Sequence, residues 1–367
     1  MDVRAVVWEG VGKPMQTTDL TLAAPGPKEV LVRLGASGVC HTDLSIIEGK
    51  FPVPSPIVLG HEGAGTVEAI GREVTRCVVG DRVVLSLIPQ CGACFWCGKG
   101  QPELCAPGAQ SSMGAVLADG TPRFSRGGET VFQFSGLGTF AEAVVICEDA
   151  VVPFTGDTPF EVAALLGCAV MTGVGAARNT ADIAPGDTVL VIGCGGVGLN
   201  VVQGARLAEA ARIIAVDLAQ AKLDLASRFG ATDQLLAGDG AFEQIIEMTG
   251  GLGVDVAFDV VGAVPSGQLA LQAVRRGGQV CLIGMSSVET VLPVATTIDL
   301  LIHEKRIFGS NYGSSDVRRD VPKLLAQHAS GDLLLNELVS ERVTLDDIDA
   351  AFETMRAGQL ARSVIVF

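Results

Sequence analysis

The segment Asp187-Thr188-Val189-Leu190-Val191-Ile192-Gly193-Cys194-Gly195-Gly196-Val197-Gly198 decides how the second half of the chain is expected to fold. It begins with a β-branched, apolar run of the kind found in buried parallel strands. Gly-x-Gly-x-x-Gly follows directly, and residues 199–210 have a helical pattern. A strand, a glycine turn and a helix in this order predict a dinucleotide site, with Gly196 and Val197 at the helix N-terminus that faces the phosphate charge.

The three glycines of the motif have separate roles. Gly193 permits the tight turn, Gly195 lets a pyrophosphate approach the backbone, and Gly198 allows close packing of helix on strand. The next strand, 212–216, ends at Asp217, which we expect to accept hydrogen bonds from the adenosine ribose. Its charge would repel a 2′-phosphate and no arginine follows it directly, so the sequence favours NAD(H) over NADP(H). The alternative is that Asp217 only caps the next helix.

Two kinds of pattern divide the chain. From about residue 170 to residue 309, strand and helix patterns alternate and predict a doubly wound parallel sheet. The later predicted elements there are helices at 220–229, 242–249 and 267–274 and strands at 254–261 and 279–283. Residues 1–150 contain short β-rich runs between glycine and proline turns, which predict an antiparallel, barrel-like domain. Its clearest predicted strands are 29–34, 65–70 and 81–86.

Composition excludes several classes of protein. The 367 residues suffice for about two domains, and the 48% apolar and 18% charged fractions exclude a disordered chain. A net charge of −15 argues against nucleic acid and anionic membranes as partners. Residues 1–4 lack a secretory pattern, and the longest apolar stretches, 162–177 and 189–202, are too short for a bilayer span or broken by glycines. We therefore expect a soluble, cytoplasmic protein.

Four of the 10 cysteines form one tight group: Cys91, Cys94, Cys97 and Cys105. Disulfides are a poor explanation in a cytoplasmic chain, whereas four thiolates on short turns suit a tetrahedral structural zinc. An iron–sulfur cluster is an alternative, but bacterial ferredoxins place proline after the last cysteine and here Ala106 follows. Unliganded free cysteines are the other alternative.

A second metal site is expected from residues that lie far apart. Cys40 lies in the segment 38–43, His61 in 60–65 and Cys168 in 165–173. Two thiolates and one imidazole with one open position are the coordination of a catalytic zinc in alcohol dehydrogenases. Spacing alone does not bring these residues together.

In combination, these motifs resemble the zinc-dependent alcohol dehydrogenases of the medium-chain dehydrogenase/reductase family over the whole chain. The resemblance implies a GroES-like β-barrel catalytic domain at 1–169 and 312–367, with a structural zinc lobe at 89–106. It implies a Rossmann NAD-binding domain, a doubly wound parallel sheet, at 170–311. The tracts 88–91, 119–124 and 137–142 look most like the bacterial branch allied to class III, which includes nitrosodimethylaniline-dependent and aryl-alcohol dehydrogenases.

The resemblance also implies roles around the catalytic zinc, which Cys40, His61 and Cys168 would bind. Thr42 would hydrogen-bond the alcohol oxygen and pass its proton outward. Asp43 would orient His61. Glu62 would lie behind the zinc and assist ligand exchange, or alternatively serve only the electrostatics of packing.

For the cofactor, the resemblance implies that His41 and Arg362 contact the pyrophosphate, that Lys222 lies beside the adenosine ribose, and that Thr172 also contacts the cofactor. His41 could instead be a solvated loop residue. Together with the glycine turn, these residues would hold NAD(H), so that the complete cofactor set is NAD(H) and two zinc ions per chain.

The chain departs from the family at two places. The proton relay often ends in a histidine three residues after the hydroxyl residue, and here that position is Ser45. Relatives that act on glutathione adducts carry an arginine shortly after the fourth lobe cysteine, whereas here the next basic residue is Arg123. We therefore expect a free alcohol or aldehyde in an apolar pocket, lined by Phe51, Leu87 and Met285.

The expected activity is the NAD(H)-linked interconversion of a primary alcohol, aliphatic or aromatic, and its aldehyde. Alternatives are a zinc-free quinone reductase and a non-catalytic nucleotide-binding member of the same superfamily. The long stretch between Cys105 and Thr139 resembles the longer loop of dimeric relatives. It predicts a homodimer built partly through the Rossmann sheets, although tetramers also occur in the family.

Overall fold

The structure is a computed structural model that describes residues 1–358 and 360–367. The chain forms two compact units. The first consists of Met1–Cys168 with Asp316–Phe367, and the second of Ala169–Ser315. The chain thus leaves the first unit once and returns to it once.

The strands in chain order are β1 (Asp2–Trp8), β2 (Met15–Leu22), β3 (Glu29–Gly38), β4 (Ile57–Val58), β5 (Glu62–Ile70), β6 (Arg82–Leu85), β7 (Phe124–Arg126), β8 (Glu129–Gln133), β9 (Ala143–Cys147), β10 (Val151–Phe154), β11 (Thr188–Ile192), β12 (Arg212–Asp217), β13 (Asp233–Leu236), β14 (Val254–Asp259), β15 (Val274–Leu282), β16 (Arg306–Gly309), β17 (Val339–Val343) and β18 (Arg362–Val366).

The α-helices are α1 (His41–Ile47), α2 (Phe95–Gly98), α3 (Ala106–Gly114), α4 (Phe160–Leu165), α5 (Met171–Gly175), α6 (Gly196–Leu207), α7 (Gln220–Phe229), α8 (Ala241–Met248), α9 (Val264–Ala273), α10 (Val317–Ala329) and α11 (Ile348–Ala357). Wider, π-helical turns occupy Leu166–Val170, Ala176–Thr180 and Thr296–Ile302. Short 3₁₀ turns lie at Pro102–Leu104, Phe134–Gly136, Glu148–Ala150, Tyr312–Ser314, Asn336–Leu338 and Leu345–Asp347.

The first unit contains a closed barrel and a larger sheet. The barrel runs β1-β2-β7-β8-β4, and β4 closes it by pairing with β1. The 7-stranded sheet has the order β10-β6-β5-β3-β18-β17, with β9 also paired to β3. Most of these pairs are antiparallel, which confirms the barrel-like prediction for the first part of the chain. Buried side chains of both sheets share one apolar core.

The second unit is a parallel sheet with the order β13-β12-β11-β14-β15-β16. All of its pairs are parallel, and β11 lies between β12 and β14. Parallel strands joined by helices place the strand order reversal next to β11, whose carboxyl end leads into the glycine turn. The predicted doubly wound sheet is confirmed.

One helical stretch of the protein is both long and apolar. Residues Phe160–Thr180 form a continuous helical run of 21 residues, which by length and composition could cross a membrane. This corrects the expectation that the apolar stretch 162–177 is too short for a span. Of its most apolar window, 83% is buried inside the protein, as in the core helix of a globular protein. No second such helix occurs among residues 1–358 and 360–367.

Candidate functional site

Four chemically active side chains meet inside the first unit. Ligand atoms of Cys40, His61, Glu62 and Cys168 all lie within 4.8 Å of one another, and all four residues are buried. The structure therefore brings together the three predicted zinc ligands, of which Cys168 lies more than a hundred residues after the other two in the sequence. It adds the carboxylate of Glu62 to the same group.

Strand pairing explains this convergence. Strands β3 and β5 are antiparallel with Gly38 opposite Glu62, so Cys40 and His61 lie at the same end of the pair. Cys40 is the residue before α1, and Cys168 lies in the wide turn that follows α4. Gly60 has a φ of +87°, and a Cβ there would collide with Phe140 and Thr139. A side chain at this position would therefore displace the segment that carries His61.

The carboxylate of Asp43 contacts both the segment that carries His61 and the backbone of Cys40. Its Oδ1 accepts hydrogen bonds from the Gly60 N–H at 3.0 Å and lies 3.2 Å from His61 Nδ1. Its Oδ2 accepts the N–H of Cys40 at 3.3 Å. The bond to Nδ1 leaves Nε2 as the nitrogen of His61 that can bind a metal. The role predicted for Asp43, to orient His61, has this geometric basis.

The two thiols of the cluster ionise unequally. A hydrogen bond with Cys168 holds the pKa of Cys40 well below its usual range, although burial opposes this. The same bond, with burial, raises the pKa of Cys168 well above its usual range. Burial disfavours a charged His61, but the Asp43 carboxylate and Cys40 together raise the pKa of the imidazole. The site thus stabilises negative charge on the sulfur of Cys40, and a thiolate is the form that binds a metal.

Glu62 and Arg362 form a buried ion pair beside the cluster. Arg362 Nη2 lies 3.1 Å from Glu62 Oε1, and the side chains are 4% and 0% exposed. Arg362 Nη1 also donates to the Val39 carbonyl at 2.9 Å. Burial raises the pKa of Glu62 to about 7, although the Arg362 charge opposes the shift. The residue assigned to the pyrophosphate by resemblance is therefore in contact with Glu62 here.

One neighbour of the cluster was missed by sequence reasoning. The ring of Phe134 lies edge-on to the His61 imidazole, with centroids 5.4 Å apart. Phe134 belongs to a short turn in which Ser135 has a φ of +56°. No motif marks this phenylalanine, because its position depends on how the loop folds.

The four-cysteine group forms a second potential metal site. Ligand atoms of Cys91, Cys94, Cys97 and Cys105 lie within 4.8 Å of one another. The sulfurs of Cys94 and Cys105 are 4.0 Å apart, close to the separation of about 3.8 Å that tetrahedral zinc–sulfur bonds of about 2.3 Å require. Backbone N–H groups of Cys97 and Ala106 lower the pKa of Cys94 to about 6. The donor set and spacing fit zinc.

The glycine turn in the second unit has the shape that its sequence predicts. Gly193 has a φ of +95°, and a Cβ at Gly198 would overlap the Gly193 carbonyl oxygen. Nothing lies within 4 Å of a Cβ at Gly195, so the backbone there is open to a ligand. The Asp217 carboxylate accepts the N–H of Cys194 at 2.7 Å and that of Ala219 at 3.1 Å. Asp217 therefore fixes the glycine turn and holds Ala219, the residue before α7, without capping the helix itself.

The remaining predicted site residues are placed as follows. Thr42 and Ser45 are half-buried on α1, and His41 at its start is exposed. Phe51 and Leu87 are half-buried against the core of the first unit. In the second unit Thr172 lies half-buried in α5 and Lys222 half-buried in α7, whereas Met285 is 45% exposed.

The chain is similar to known proteins over its whole length. Residues 26–156 match the alcohol dehydrogenase GroES-like domain, and residues 196–330 match the zinc-binding dehydrogenase domain. An S-(hydroxymethyl)glutathione dehydrogenase of Synechocystis is 39% identical over 100% of both chains. An NDMA-dependent alcohol dehydrogenase of Amycolatopsis methanolica is 37% identical over 100% of this chain and 99% of its own.

Solved structures agree with the sequence matches. A benzyl alcohol dehydrogenase from Acinetobacter calcoaceticus superimposes with a TM-score of 0.93 at 32% identity, covering 100% of this chain and 99% of its own. The buried Cys-His-Glu-Cys group, the four-cysteine lobe and the glycine turn thus occur in a chain that matches these proteins from end to end. This chain belongs to the zinc-binding alcohol dehydrogenase family.

Proposed function

We propose that this protein uses zinc and NAD(H) to interconvert a primary alcohol and its aldehyde. The observation that carries the proposal is the convergence of Cys40, His61 and Cys168 in one buried cluster. Two thiols and an imidazole leave a fourth metal position for substrate, as in the catalytic zinc of alcohol dehydrogenases. The intact ligand set argues against a zinc-free reductase, and the family match argues against a purely nucleotide-binding protein.

Cys40, His61 and Cys168 would hold the catalytic zinc, and the four-cysteine lobe would hold a structural zinc. When bound, zinc supplies a Lewis acid for the alcohol oxygen, and NAD⁺ supplies the hydride acceptor. Asp43 keeps the imidazole of His61 in its binding orientation through the bond to Nδ1. Arg362 balances the charge of Glu62 and of the Cys40 thiolate, which lowers the electrostatic cost of two thiolates in a buried site.

We assign transfer of the substrate hydroxyl proton to side chains of helix α1. Thr42, in its first turn, would accept the proton of the substrate hydroxyl and donate its own onward. Ser45 lies three residues further on, on the same face of the helix. A serine can pass a proton but has no basicity to keep it, so in our proposal the relay ends in water.

The cofactor would bind at the glycine turn of the second unit. Gly195 provides the close backbone approach that a pyrophosphate needs, while Gly193 and Gly198 allow the tight turn and the packing that form this site. The N-terminus of α6 supplies free N–H groups. The Asp217 carboxylate, held by two backbone N–H groups, is in position to receive ribose hydroxyls and to repel a 2′-phosphate. His41, Thr172, Lys222 and Arg362 remain assigned to the cofactor by resemblance.

The substrate is proposed to be a free aliphatic or aromatic alcohol. Benzyl alcohol dehydrogenase and the NDMA-dependent enzyme support this class, whereas the S-(hydroxymethyl)glutathione dehydrogenases at 39% and 37% identity would support a glutathione adduct. The absence of a basic residue between Cys105 and Arg123 favours the free alcohol. Phe51, Leu87 and Met285 stay our proposed pocket lining.

We further propose a homodimer that works in the cytoplasm. Strand β16 lies at the edge of the parallel sheet, and the segment Thr296–Ile302 before it exposes several apolar side chains. An edge strand and an exposed apolar patch are features that a second copy of this chain would cover. A tetramer would need a further surface. The free state of all cysteines agrees with a reducing compartment.

The test is metal analysis of the purified protein, followed by rates with ethanol, benzyl alcohol and S-(hydroxymethyl)glutathione, each with NAD⁺ and NADP⁺. We expect two zinc ions per chain and the highest kcat/KM with benzyl alcohol and NAD⁺. Activity only with the glutathione adduct would contradict the substrate class. No hydride transfer with any alcohol would contradict the enzyme assignment.

A further inference from the structure

The two places where the chain passes between its units both adjoin a potential metal site. The outward passage follows Cys168, a member of the buried cluster, because the second unit begins at Ala169. The return passage lies between Ser315 and Asp316, at the start of α10. Contacts of Val317 and Arg318 within the first unit hold the chain at this return passage.

The chain that returns to the first unit is held by Gln90, at the start of the four-cysteine lobe, and by Asp149. The Val317 N–H donates to Gln90 Oε1 at 3.2 Å, and the Arg318 guanidinium donates to the Gln90 carbonyl. Arg318 also pairs with Asp149 at 3.2 Å, and Asp149 accepts the Gln90 N–H at its carbonyl. Gln90 is completely buried. Its neighbour in the sequence is Cys91, the first cysteine of the lobe.

The shape of the lobe depends on its sulfur atoms. Helix α2 within it has no buried residue, and Phe95 and Trp96 are 67% and 38% exposed. Apart from the thiols, the lobe has little interior that could hold it folded. The Cys91 N–H donates to Cys105 Sγ at 3.4 Å, so the position of Cys91 depends directly on the sulfur cluster. A metal held by four thiolates stabilises such a segment by its binding free energy.

We propose that the metal-loaded four-cysteine lobe fixes the return passage of the chain, with Gln90 and Arg318 as positioning residues. The folded lobe fixes the position of Cys91, and the peptide bond between the two residues then fixes the position of Gln90. Gln90 in turn holds the first turn of α10 through Val317 and Arg318. In this way each of the two metal sites fixes one of the two passages. The inference rests on the lobe metal of the proposed function and extends it from a stabilising role to a positional one.

Coupling between metal binding in the lobe and order at the start of α10 must act in both directions. If the lobe metal orders the start of α10, then loss of the Arg318 contacts should weaken retention of the metal. A merely structural arginine would lower overall stability without a specific effect on the lobe. Arg342 provides the matched control, because it also lies in the first unit and its guanidinium pairs with Glu161 at 3.2 Å, a carboxylate outside the lobe.

The first experiment measures transfer of zinc from the full-length, zinc-loaded protein to a chromogenic chelator. The lobe phase is identified as the one that Cys94→Ser removes. Arg318→Ala is expected to speed this phase about tenfold, since it removes charged hydrogen bonds. Arg342→Ala should leave it unchanged, and the phase that Cys168→Ser removes should not respond to either arginine. Equal lobe rates in wild type and Arg318→Ala would overturn the proposal.

The second experiment measures backbone hydrogen exchange by mass spectrometry in the zinc-loaded arginine variants and in Cys94→Ser and Cys168→Ser. We expect faster exchange in peptides covering 316–320 in Arg318→Ala and Cys94→Ser only. Unchanged exchange there after loss of the lobe metal would contradict this inference alone. A wild-type count of one zinc would instead contradict the proposed function. Should Cys94→Ser not fold, the lobe phase is identified as the one that Cys168→Ser retains, and the comparison of Arg318→Ala with Arg342→Ala on that phase tests the proposal.

Discussion

Arg362 and Glu62 carry opposite charges in a place that water does not reach. Removing one partner of a buried pair leaves an uncompensated charge, which costs about 3–5 kcal/mol. Because Glu62 has a pKa of about 7 even beside Arg362, its carboxyl can take up a proton when the arginine is removed. We therefore predict that Arg362→Met lowers the free energy of unfolding of the first unit by less than this amount, by about 1–3 kcal/mol, the cost of an unsatisfied buried polar group. The double variant with Glu62→Gln should recover most of the loss, since it has no buried charge to leave unpaired. Denaturant unfolding of the single and double variants is the measurement, and a double variant no more stable than Arg362→Met would show that charge is not the cause.

The two cysteine clusters should be separable by single substitutions. Cys94→Ser removes a closed site and is expected to lower the thermal midpoint. Cys168→Ser removes a ligand of the open site and is expected to abolish turnover while the fold is kept. Each variant should retain one zinc per chain in elemental analysis. Fully active wild-type protein with a single zinc would show that the two-site assignment is wrong.

Asp217 should decide the choice of cofactor by its charge. Asp217→Asn keeps an oxygen for the Cys194 N–H but removes the negative charge that a 2′-phosphate would meet. Like charges placed together cost several kcal/mol, so we expect kcat/KM with NADP⁺ to rise at least about tenfold. The rate with NAD⁺ should fall, because a ribose acceptor is weakened. Wild-type protein that prefers NADP⁺ would contradict the assignment.

Elements with strong local signals were predicted closely. Helix α7 runs Gln220–Phe229, as its apolar periodicity and the following Gly230 indicate. Helix α9 begins at Val264, earlier than the predicted 267, because Pro265 in its first turn is a start signal that the apolar pattern alone does not show. Strand β15 begins at Val274 instead of 279 and includes two glycines that resemble a turn in the sequence.

Elements that depend on distant partners could not be predicted. Strand β18 enters the large sheet beside β3, where Val364 lies opposite Gly38. This pairing places Arg362 against Glu62, and nothing in residues 360–364 shows it. The residues of the two candidate metal sites could be named in advance because their motifs are specific to a family. Phe134 and the buried state of Arg362 follow from tertiary contacts, which no local pattern contains.

Helix α1 places Thr42 and Ser45 one turn apart, and in our proposal these two side chains carry the proton from the substrate. A histidine has a pKa near 6.5 and can accept a proton at neutral pH, whereas serine can only conduct it. Ser45→His should therefore raise alcohol oxidation below about pH 7.5, by less than the 10²–10⁴-fold of direct base catalysis. Aldehyde reduction should change less. Rates from about pH 6 to 10 bracket the histidine titration, with Ser45→Ala as the control. Profiles that superimpose would show that another group already serves as the base.

The charge of the whole molecule bears on its assembly. Each chain carries a net charge of −15, so two copies repel each other in dilute salt. An apolar interface would not be weakened by salt, which screens the repulsion over a Debye length that falls from about 10 Å at 0.1 M to 3 Å at 1 M. We therefore expect the proposed homodimer to tighten as salt is added. An interface made of ion pairs would show the opposite trend.

The exposed segment Thr296–Ile302 before β16 allows the proposed dimer interface to be tested by a single substitution. Leu301 in that segment is 73% exposed, and Leu252, in the turn after α8 of the same unit, is 74% exposed. A glutamate at either position meets solvent in the isolated chain and should leave its folding intact. At a dimer interface, however, a glutamate in place of Leu301 must be buried without a partner, which costs several kcal/mol for each copy. We predict that Leu301→Glu is monomeric in sedimentation velocity at concentrations where wild type and Leu252→Glu are dimeric. A dimeric Leu301→Glu variant would place the interface elsewhere, and a wild-type monomer at all concentrations would exclude the dimer itself.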